Sequence, residues 1–384
     1  MSELAAIGTS VSADEEVRHY VLFAADRVFR VVLEALAHIE EWQPWAPFSR
    51  GYHIDLSETF RATVGLRFDA ANTIWDRLRR APDLAIKLQF AFWAEYYDGG
   101  GTPTEQVWTP LSALLGRLGY ARRPRGDYRE QDERLLVETL EAVFALEVGA
   151  TWREPSQRAR EVASLRGRIW QEGLVGEARH GDHRKRIWLS YRPGEWFADP
   201  AWQRRNRFKG RVDPALLELD ASRDRWPIRV GSAYAWLAKT NLRSGSILTL
   251  RLRSLVDQTG AWVVYAGHTA RLRGIVEAAH DRLRAVGLIE EWEWLPGPGS
   301  GWLAGAIRVE WIGSGTTPCA RTFPPLACQD PPSRVPLLPL SRAKTEIENR
   351  PKRCNTSKGR PRALSAGTAS SLATGHGPAV EAVA

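Results

Sequence analysis

Tryptophan is distributed very unevenly along this chain of 384 residues. All 17 tryptophans lie at or before Trp311, whereas the 67 residues from Pro318 onward contain ten prolines and a single aromatic residue, Phe323. A segment of that composition cannot bury enough apolar surface to offset the entropy that is lost on ordering. The distribution therefore predicts a folded part that ends near residue 312 and a disordered basic tail over residues 313–384.

The charge of the chain follows a gradient. The net charge is +8 overall, but it is −6 over residues 1–116, +8 over residues 117–317 and +6 over residues 318–384. A basic middle and a basic tail favour a polyanionic partner, and most of the basic residues are arginines, which suit phosphate and base edges. We therefore expect double-stranded DNA to be the partner.

Several classes of protein are excluded or disfavoured by what the sequence lacks. The three cysteines lie in the last 66 residues without a CxxC spacing, so neither a disulfide framework nor a zinc ribbon is expected, and a cytoplasmic setting is favoured. No run of 18 apolar residues indicates a membrane span, and the acidic N-terminus does not resemble a secretory signal. There is no P-loop, and Gly297, Gly299 and Gly301 fall in a predicted hairpin tip. We thus predict no enzyme, no cofactor and no metal.

The fold class that we predict is mainly α with small β wings, an α+β protein. Residues 1–100 are interpreted as a helical region. An apolar stripe that includes Val17, Val21 and Val28 predicts one helix from about Asp14 to Trp42. A second predicted helix covers about 83–97.

Residues 101–155 read as a first winged-helix-like unit. Thr109 followed by Pro110 predicts a capped helix start, and the apolar face that follows ends at Gly119. A longer helix is predicted to start near Asp127 and Glu130, and an extended strand over residues 148–152. Residues 156–212 are interpreted as a connector rich in tryptophan and arginine, with a net charge of +8 over residues 153–211.

The same order of elements returns more clearly over residues 213–312. Helices are predicted at 232–242, 250–259 and 269–286, with a short strand at 247–248. Strands at 289–294 and 307–311 flank the Gly/Pro-rich turn 295–301, as the two strands of a wing would.

This second unit carries the strongest candidate site. The apolar residues of the third helix leave Arg271 and Arg273 on either side of its buried face, in the first turn, where a recognition helix meets base edges. His268 and Thr269 precede them at the helix N-terminus, which favours phosphate. We predict that all four contact DNA, with additional phosphate contacts from Arg251, Arg253 and Arg308. The alternative is that these arginines only solvate a helix surface.

The first unit is a weaker candidate. Its loop offers Arg122, Arg123 and Arg125 as backbone contacts, but the helix that follows has a net charge of −3, which phosphate would repel. That helix suits a partner surface, or the unit is purely structural.

In the tail, the segment Lys358, Gly359, Arg360, Pro361 and Arg362 is similar to an AT-hook core that binds the minor groove. His180 and His183, with Tyr191 nearby, leave open a DNA-nicking enzyme.

The two helix–turn–helix–wing patterns, at residues 107–120 with the downstream helix and at 271–294 with its wing, resemble the tandem winged-helix replication initiators of plasmids and related mobile elements. The resemblance implies sequence-specific binding to repeated origin sites, a homodimer formed through one unit, and recruitment of the host replication helicase machinery. The alternative with the same fold is a transcriptional regulator of a mobile element.

Overall fold

The computed structural model describes residues 21–24, 26–67, 71–102, 105–153, 162–180, 183–199, 202, 209–238, 246–265, 267–297 and 301–312. These residues all belong to one compact unit. The predicted disordered tail, including the AT-hook-like segment 358–362, lies outside them, as do the three cysteines.

The described part of the chain is a mixed α+β structure. Its helices are α1 (Arg27–Ala37), α2 (Ala71–Arg80), α3 (Pro82–Asp98), α4 (Leu111–Arg117), α5 (Glu130–Phe144), α6 (Glu195–Ala198), α7 (Ala215–Glu218), α8 (Arg225–Leu237), α9 (Leu252–Gln258), α10 (Ala261–Tyr265) and α11 (Thr269–Ala285). Its strands are β1 (Val21–Ala24), β2 (Gln43–Trp45), β3 (Phe48–Ser57), β4 (Phe60–Leu66), β5 (Val107–Pro110), β6 (Glu147–Arg153), β7 (Val162–Arg168), β8 (Trp170–His180), β9 (His183–Pro193), β10 (Lys209–Val212), β11 (Ser246–Arg251), β12 (Ile289–Leu295) and β13 (Ala306–Trp311).

The strands form antiparallel sheets. A five-stranded sheet has the order β2-β3-β4-β6-β7, two three-stranded sheets have the orders β5-β9-β8 and β11-β13-β12, and β1 pairs with β10. The α+β prediction is therefore confirmed, but strands are more extensive than a mainly α chain would have.

The N-terminal region departs most from its prediction. The single helix expected from Asp14 to Trp42 is instead the strand β1, then Asp26, whose carboxylate caps α1 by accepting the backbone N–H of Phe29 at 2.7 Å, then α1 itself. β2, β3 and β4 follow, so residues 1–100 are not a purely helical region. Val21 of β1 pairs with Val212 of β10, a partner so distant along the chain that a local apolar stripe cannot reveal it.

The first helix–hairpin module comprises α3, β5, α4, α5 and the hairpin β8–β9. The predicted strand 148–152 exists as β6, but it pairs with β4 and β7 and is not the wing of this module. β6 and β7 are inserted between α5 and β8, and the hairpin itself lies within the segment that was interpreted as a connector. The long strands β8 and β9 pair from Trp170 opposite Pro193 to His180 opposite His183.

The second helix–hairpin module comprises α8, β11, α9, α10, α11 and the hairpin β12–β13. Its sheet places β13 between β11 and β12. The predicted helix 232–242 starts earlier, at Arg225, and α10 was not expected. Gly260, at φ +68°, makes the turn between α9 and α10, and a Cβ there would lie 2.5 Å from the carbonyl oxygen of Ala37.

Aromatic rings on α3 form the centre of the core. Phe92 lies 4.2 Å from Tyr191 of β9 between ring centroids, and Trp93 lies 4.6 Å from Trp170 of β8. All four side chains are buried. Because α3 is surrounded by other elements on nearly every side, it is apolar around most of its circumference rather than along one stripe.

Buried cations join the elements around α3. Arg229 of α8 bonds to Asp83 of α3 at 2.6 Å and donates to the carbonyl oxygens of Ala37, at the end of α1, and Thr259, just after α9. Lys87 of α3 donates to the carbonyl oxygens of Leu118 and Leu219 at 2.7 and 2.6 Å. Through Arg229 and Asp83 the two modules are thus connected by a charge-assisted hydrogen bond that is shielded from water.

Candidate nucleic-acid interface

Helix α11 presents one buried and one exposed face. Leu272, Val276, Ala279 and Leu283 are buried against the rest of the second module. The N-terminal residues His268 and Thr269 are exposed, as are the arginines at positions 271 and 273. The structure therefore brings four predicted contact residues together at one end of this helix.

The two arginines of the first turns of α11 differ in their surroundings. The Arg271 guanidinium lies 5.2 Å from the centroid of the Tyr265 ring and has no carboxylate partner in the described part of the chain. Arg273 bonds to Glu277 at 2.9 Å and lies 5.6 Å from the Trp294 ring. Arg271 is thus the freer of the two cations.

Helix α9 adds two further exposed arginines. Arg251 is the residue immediately before α9 and Arg253 lies in its first turn. Neither has a carboxylate partner among the residues that the structure describes. With Arg271, they give the second module three arginines whose charges no acidic side chain neutralises.

The hairpin β12–β13 packs against α11 through tryptophans. The indole N–H of Trp292 donates to Asp281 at 3.2 Å, and that of Trp294 donates to Glu277 at 3.3 Å. Arg308 of β13, the predicted wing contact, is paired with Glu293 at 2.9 Å. Strand β12 also exposes Glu290 and Glu291, so the described part of this hairpin is more acidic than a simple phosphate-binding wing.

His280, a buried residue of α11, connects this helix to Tyr234 of α8. The His280 Nδ1 lies 2.6 Å from the carbonyl oxygen of Val276, and Nε2 lies 2.6 Å from the Tyr234 hydroxyl. These partners fit a neutral imidazole that donates from Nδ1 and accepts at Nε2. Burial lowers the pKa of His280 to about 4.

The arginine loop of the first module is separate from this cluster in the fold. Arg122 donates to the Tyr128 hydroxyl at 3.1 Å, whereas Arg123 and Arg125 are exposed next to Gly126. The first turn of α5 contains Glu130, Asp132 and Glu133, so the acidic helix predicted by the sequence is present.

The sequence interpretation noted the basic residues of the segment 156–212 but missed the hairpin β8–β9 that carries them. In its distal half the backbone pairs Arg179 with Arg184 and Ala178 with Lys185, on either side of residues 181–182, which lie outside the described part. The signal was present in the sequence, because Gly181-Asp182 is a typical two-residue hairpin turn between strand-like segments.

The nicking alternative is not supported by its tyrosine. Tyr191 is fully buried, and its hydroxyl donates to Glu95 at 3.2 Å. Burial raises the pKa of Tyr191 well above its ordinary value and also raises the pKa of Glu95. Tyr191 is a core residue that cannot reach a phosphodiester. The backbones of His180 and His183 pair with each other.

Comparisons with known proteins return few relatives. No protein-family model matches this chain, and no curated protein matches it significantly. One similar solved structure is that of selenomethionine derivatives of domain 2 and domain 3 of RctB, with a TM-score of 0.41 and 10% identity over 68% of this chain and 89% of that chain. Another, of RctB domains 2–3, has a TM-score of 0.40 and 10% identity over 74% and 96%.

In the described part of the chain, none of the helices combines the length and apolar character needed to cross a bilayer. The described residues also contain no group of three or more histidine, cysteine, aspartate or glutamate side chains placed to hold a metal ion.

Proposed function

We propose that this protein binds duplex DNA sequence-specifically through the second helix–hairpin module, and that it serves as a replication initiator of a plasmid or another mobile element in the cytoplasm. The observation that carries the proposal is the exposed N-terminal end of α11, where Arg271 has no acidic partner in the described chain. Arg251 and Arg253, at the start of α9, add two exposed arginines to the same module.

The order of elements in this module is that of a winged helix. A helix, a strand, two helical segments, a long helix and a hairpin follow one another, and the returning strand β13 lies between β11 and β12. In such a unit the long helix enters the major groove with its N-terminal residues facing base edges. In our proposal Thr269 and Arg271 read bases, and Arg251 and Arg253 bind phosphate.

The first module has the same order if the inserted strands β6 and β7 are set aside, since β9 lies between β5 and β8. We propose that it is a second winged helix with a different task. Its long helix is acidic at its first turn, which suits a protein partner such as a second copy of the chain or the host replication helicase machinery. Its arginine loop would hold the DNA backbone.

The decisive experiment is DNA binding by the full-length chain. We expect the wild-type protein to bind repeats in the DNA that flanks its gene, and Arg251→Ala/Arg271→Ala to weaken that binding at least tenfold. Each lost charge contact to DNA removes on the order of 1–3 kcal/mol. The measurement is fluorescence anisotropy at fixed salt, with a random duplex as competitor.

Arg284→Ala is the matched control. Arg284 lies on the same helix, about 20 Å farther along its axis, and is 57% exposed. Its substitution should leave binding unchanged. Equal losses in both variants, or no preference for flanking DNA over random duplex, would refute the proposed site.

A transcriptional regulator of a mobile element is the second candidate, because the same module would serve it. Directly repeated sites, together with loss of plasmid maintenance in Arg251→Ala/Arg271→Ala, support an initiator. One inverted repeat at the gene's own promoter, with altered promoter activity and normal maintenance, supports the regulator.

A further inference from the structure

The outer face of the five-stranded sheet is a flat surface with a basic and aromatic character. Along one row, His53 of β3, Thr63 of β4, Gly149 of β6 and Arg166 of β7 are direct neighbours across the strands. Three inter-strand spacings make this row about 14 Å long. In this row Arg166 is exposed and Thr63 is buried, and in the neighbouring rows Arg61, Thr151, Ser164 and Arg168 are exposed.

One end of the row holds an exposed indole. Trp45 stacks on His53 with 4.5 Å between ring centroids and 6° between ring planes, and it remains 40% exposed. The His53 imidazole is itself held by Thr63 at 2.9 Å and Asp55 at 3.3 Å. The stack on His53 holds the indole in one orientation, and part of its surface stays open to solvent.

The two acidic residues of this face are matched by cations. Asp55 is paired with Arg61 at 3.2 Å, and the buried Glu147 is paired with Arg67 at 2.6 Å. Positive charge is therefore left over at the β7 end of the row. Arg166 and Arg168 of β7 remain as its excess positive charge.

Phe48 fills the middle of the face. A Cβ at Gly65 would lie 2.6 Å from Phe48 and 2.5 Å from the carbonyl oxygen of Arg50, so glycine leaves room for this ring against the sheet. Phe48 and Thr63 are buried, so the exposed groups at the two ends of the row are Trp45 and Arg166.

We propose that this face binds a single-stranded nucleic acid segment, with a base stacked on Trp45 and the adjacent phosphates held by Arg166 and Arg168. Unpaired bases have free faces for stacking on an aromatic ring, whereas bases in a duplex are already stacked. A flat sheet also lacks the protruding helix that enters a major groove. The occupant is chosen by charge complementarity together with this stacking surface.

The test uses the full chain and a fluorescein-labelled oligothymidylate of about 15 nucleotides, a length within the range that one binding face covers. In fluorescence anisotropy at low salt, Trp45→Ala should weaken binding about tenfold, and Trp45→Phe should retain most of the affinity. Arg166→Ala/Arg168→Ala should reduce the slope of log affinity against log salt by about 1.4.

Matched controls come from the same chain. Trp108, on β5, is 52% exposed and outside this face, and Trp108→Ala and Arg284→Ala should bind the oligonucleotide normally. Binding of flanking duplex by the Trp45 and Arg166/Arg168 variants should be unchanged. Circular dichroism melts would confirm that each variant is folded.

The results separate this proposal from that for α11. Loss of oligothymidylate binding in Trp45→Ala, with normal binding in Arg251→Ala/Arg271→Ala, supports the sheet face whether or not the α11 site exists. Wild-type oligothymidylate affinity in the folded Trp45 and Arg166/Arg168 variants would overturn it. So would an equal loss of duplex and single-strand binding, or an equal loss in Trp108→Ala.

Discussion

A single guanidinium, that of Arg229, holds four segments of the chain together. It bonds to Asp83 at 2.6 Å and to the carbonyl oxygens of Ala37 and Thr259 at 2.7 and 3.1 Å, and it is almost completely buried. Carbonyl groups near helix C-termini carry partial negative charge, so the cation also compensates the ends of α1 and α9.

Removing the Arg229 cation should destabilise the folded protein. We expect Arg229→Met to lower the free energy of unfolding by about 3–5 kcal/mol, because the Asp83 carboxylate would remain buried without its partner. Urea denaturation monitored by circular dichroism measures the effect.

The double variant Arg229→Met/Asp83→Leu is the control for uncompensated charge. It should recover part of the loss, since no charge is then left buried alone. An Arg229→Met variant as stable as wild type would show that water reaches the site and that the pair is not structurally important.

The residues at the start of α4 show which local features the sequence predicts and which it does not. The Thr109-Pro110 pair correctly predicted a helix start, and α4 begins at Leu111. The cap was nevertheless wrong, because the Thr109 hydroxyl donates to Glu95 of α3 and not to the backbone of α4. Local spacing locates a boundary, whereas a side chain's partner depends on what packs against it.

Among the elements, α11 has exposed arginines at its N-terminal end and a neutral histidine, His280, on its buried face. The pKa of His280 is about 4 in the folded protein, against an ordinary value of 6.5. The unfolded chain therefore binds more protons than the folded chain between these values, and stability falls as pH falls from 6.5 toward 4.

We expect this one group to remove about 2 kcal/mol of stability between pH 7 and pH 5. His280→Gln should lack that contribution, whereas His268→Ala, at the exposed start of α11, should keep it. Urea unfolding at both pH values measures the difference. The prediction fails if wild type and His280→Gln lose the same free energy.

Elements with a local sequence signal were predicted well, whereas strands whose pairing partners lie far away along the chain were not. Helices α3 and α11 were found nearly to the residue, because their apolar residues and the residues that end them are local signals. The role of β6 was misread, since Val148 pairs with Val64 of β4, and the helices α2 to α5 lie between the two strands in the sequence. Likewise, β8 and β9 were not predicted in the segment that was interpreted as a connector, although their Trp170 and Leu189 are buried in the core.

At the scale of the whole molecule, the net charge of +8 divides into +2 over residues 1–317 and +6 over residues 318–384. The candidate site at α11 lies in the first of these two parts. We expect removal of residues 313–384 to leave sequence-specific duplex binding nearly unchanged and to weaken binding to random duplex.

The reason is that nonspecific affinity follows the number of phosphate charges neutralised, which depends steeply on salt. Salt titrations of the full chain and the truncated chain, on specific and random duplexes, measure the two effects. Loss of the specific complex on truncation would instead place recognition in the tail and not in α11.

The bond between Arg229 and Asp83 has a mechanical consequence. To turn one helix–hairpin module against the other, the chain must break this buried ion pair, which costs several kcal/mol. The spacing between the arginine loop 122–125 and the start of α11 is therefore set by the fold. If the proposed contacts to DNA are made at both places, this spacing selects duplexes by the distance between contact points as well as by their bases.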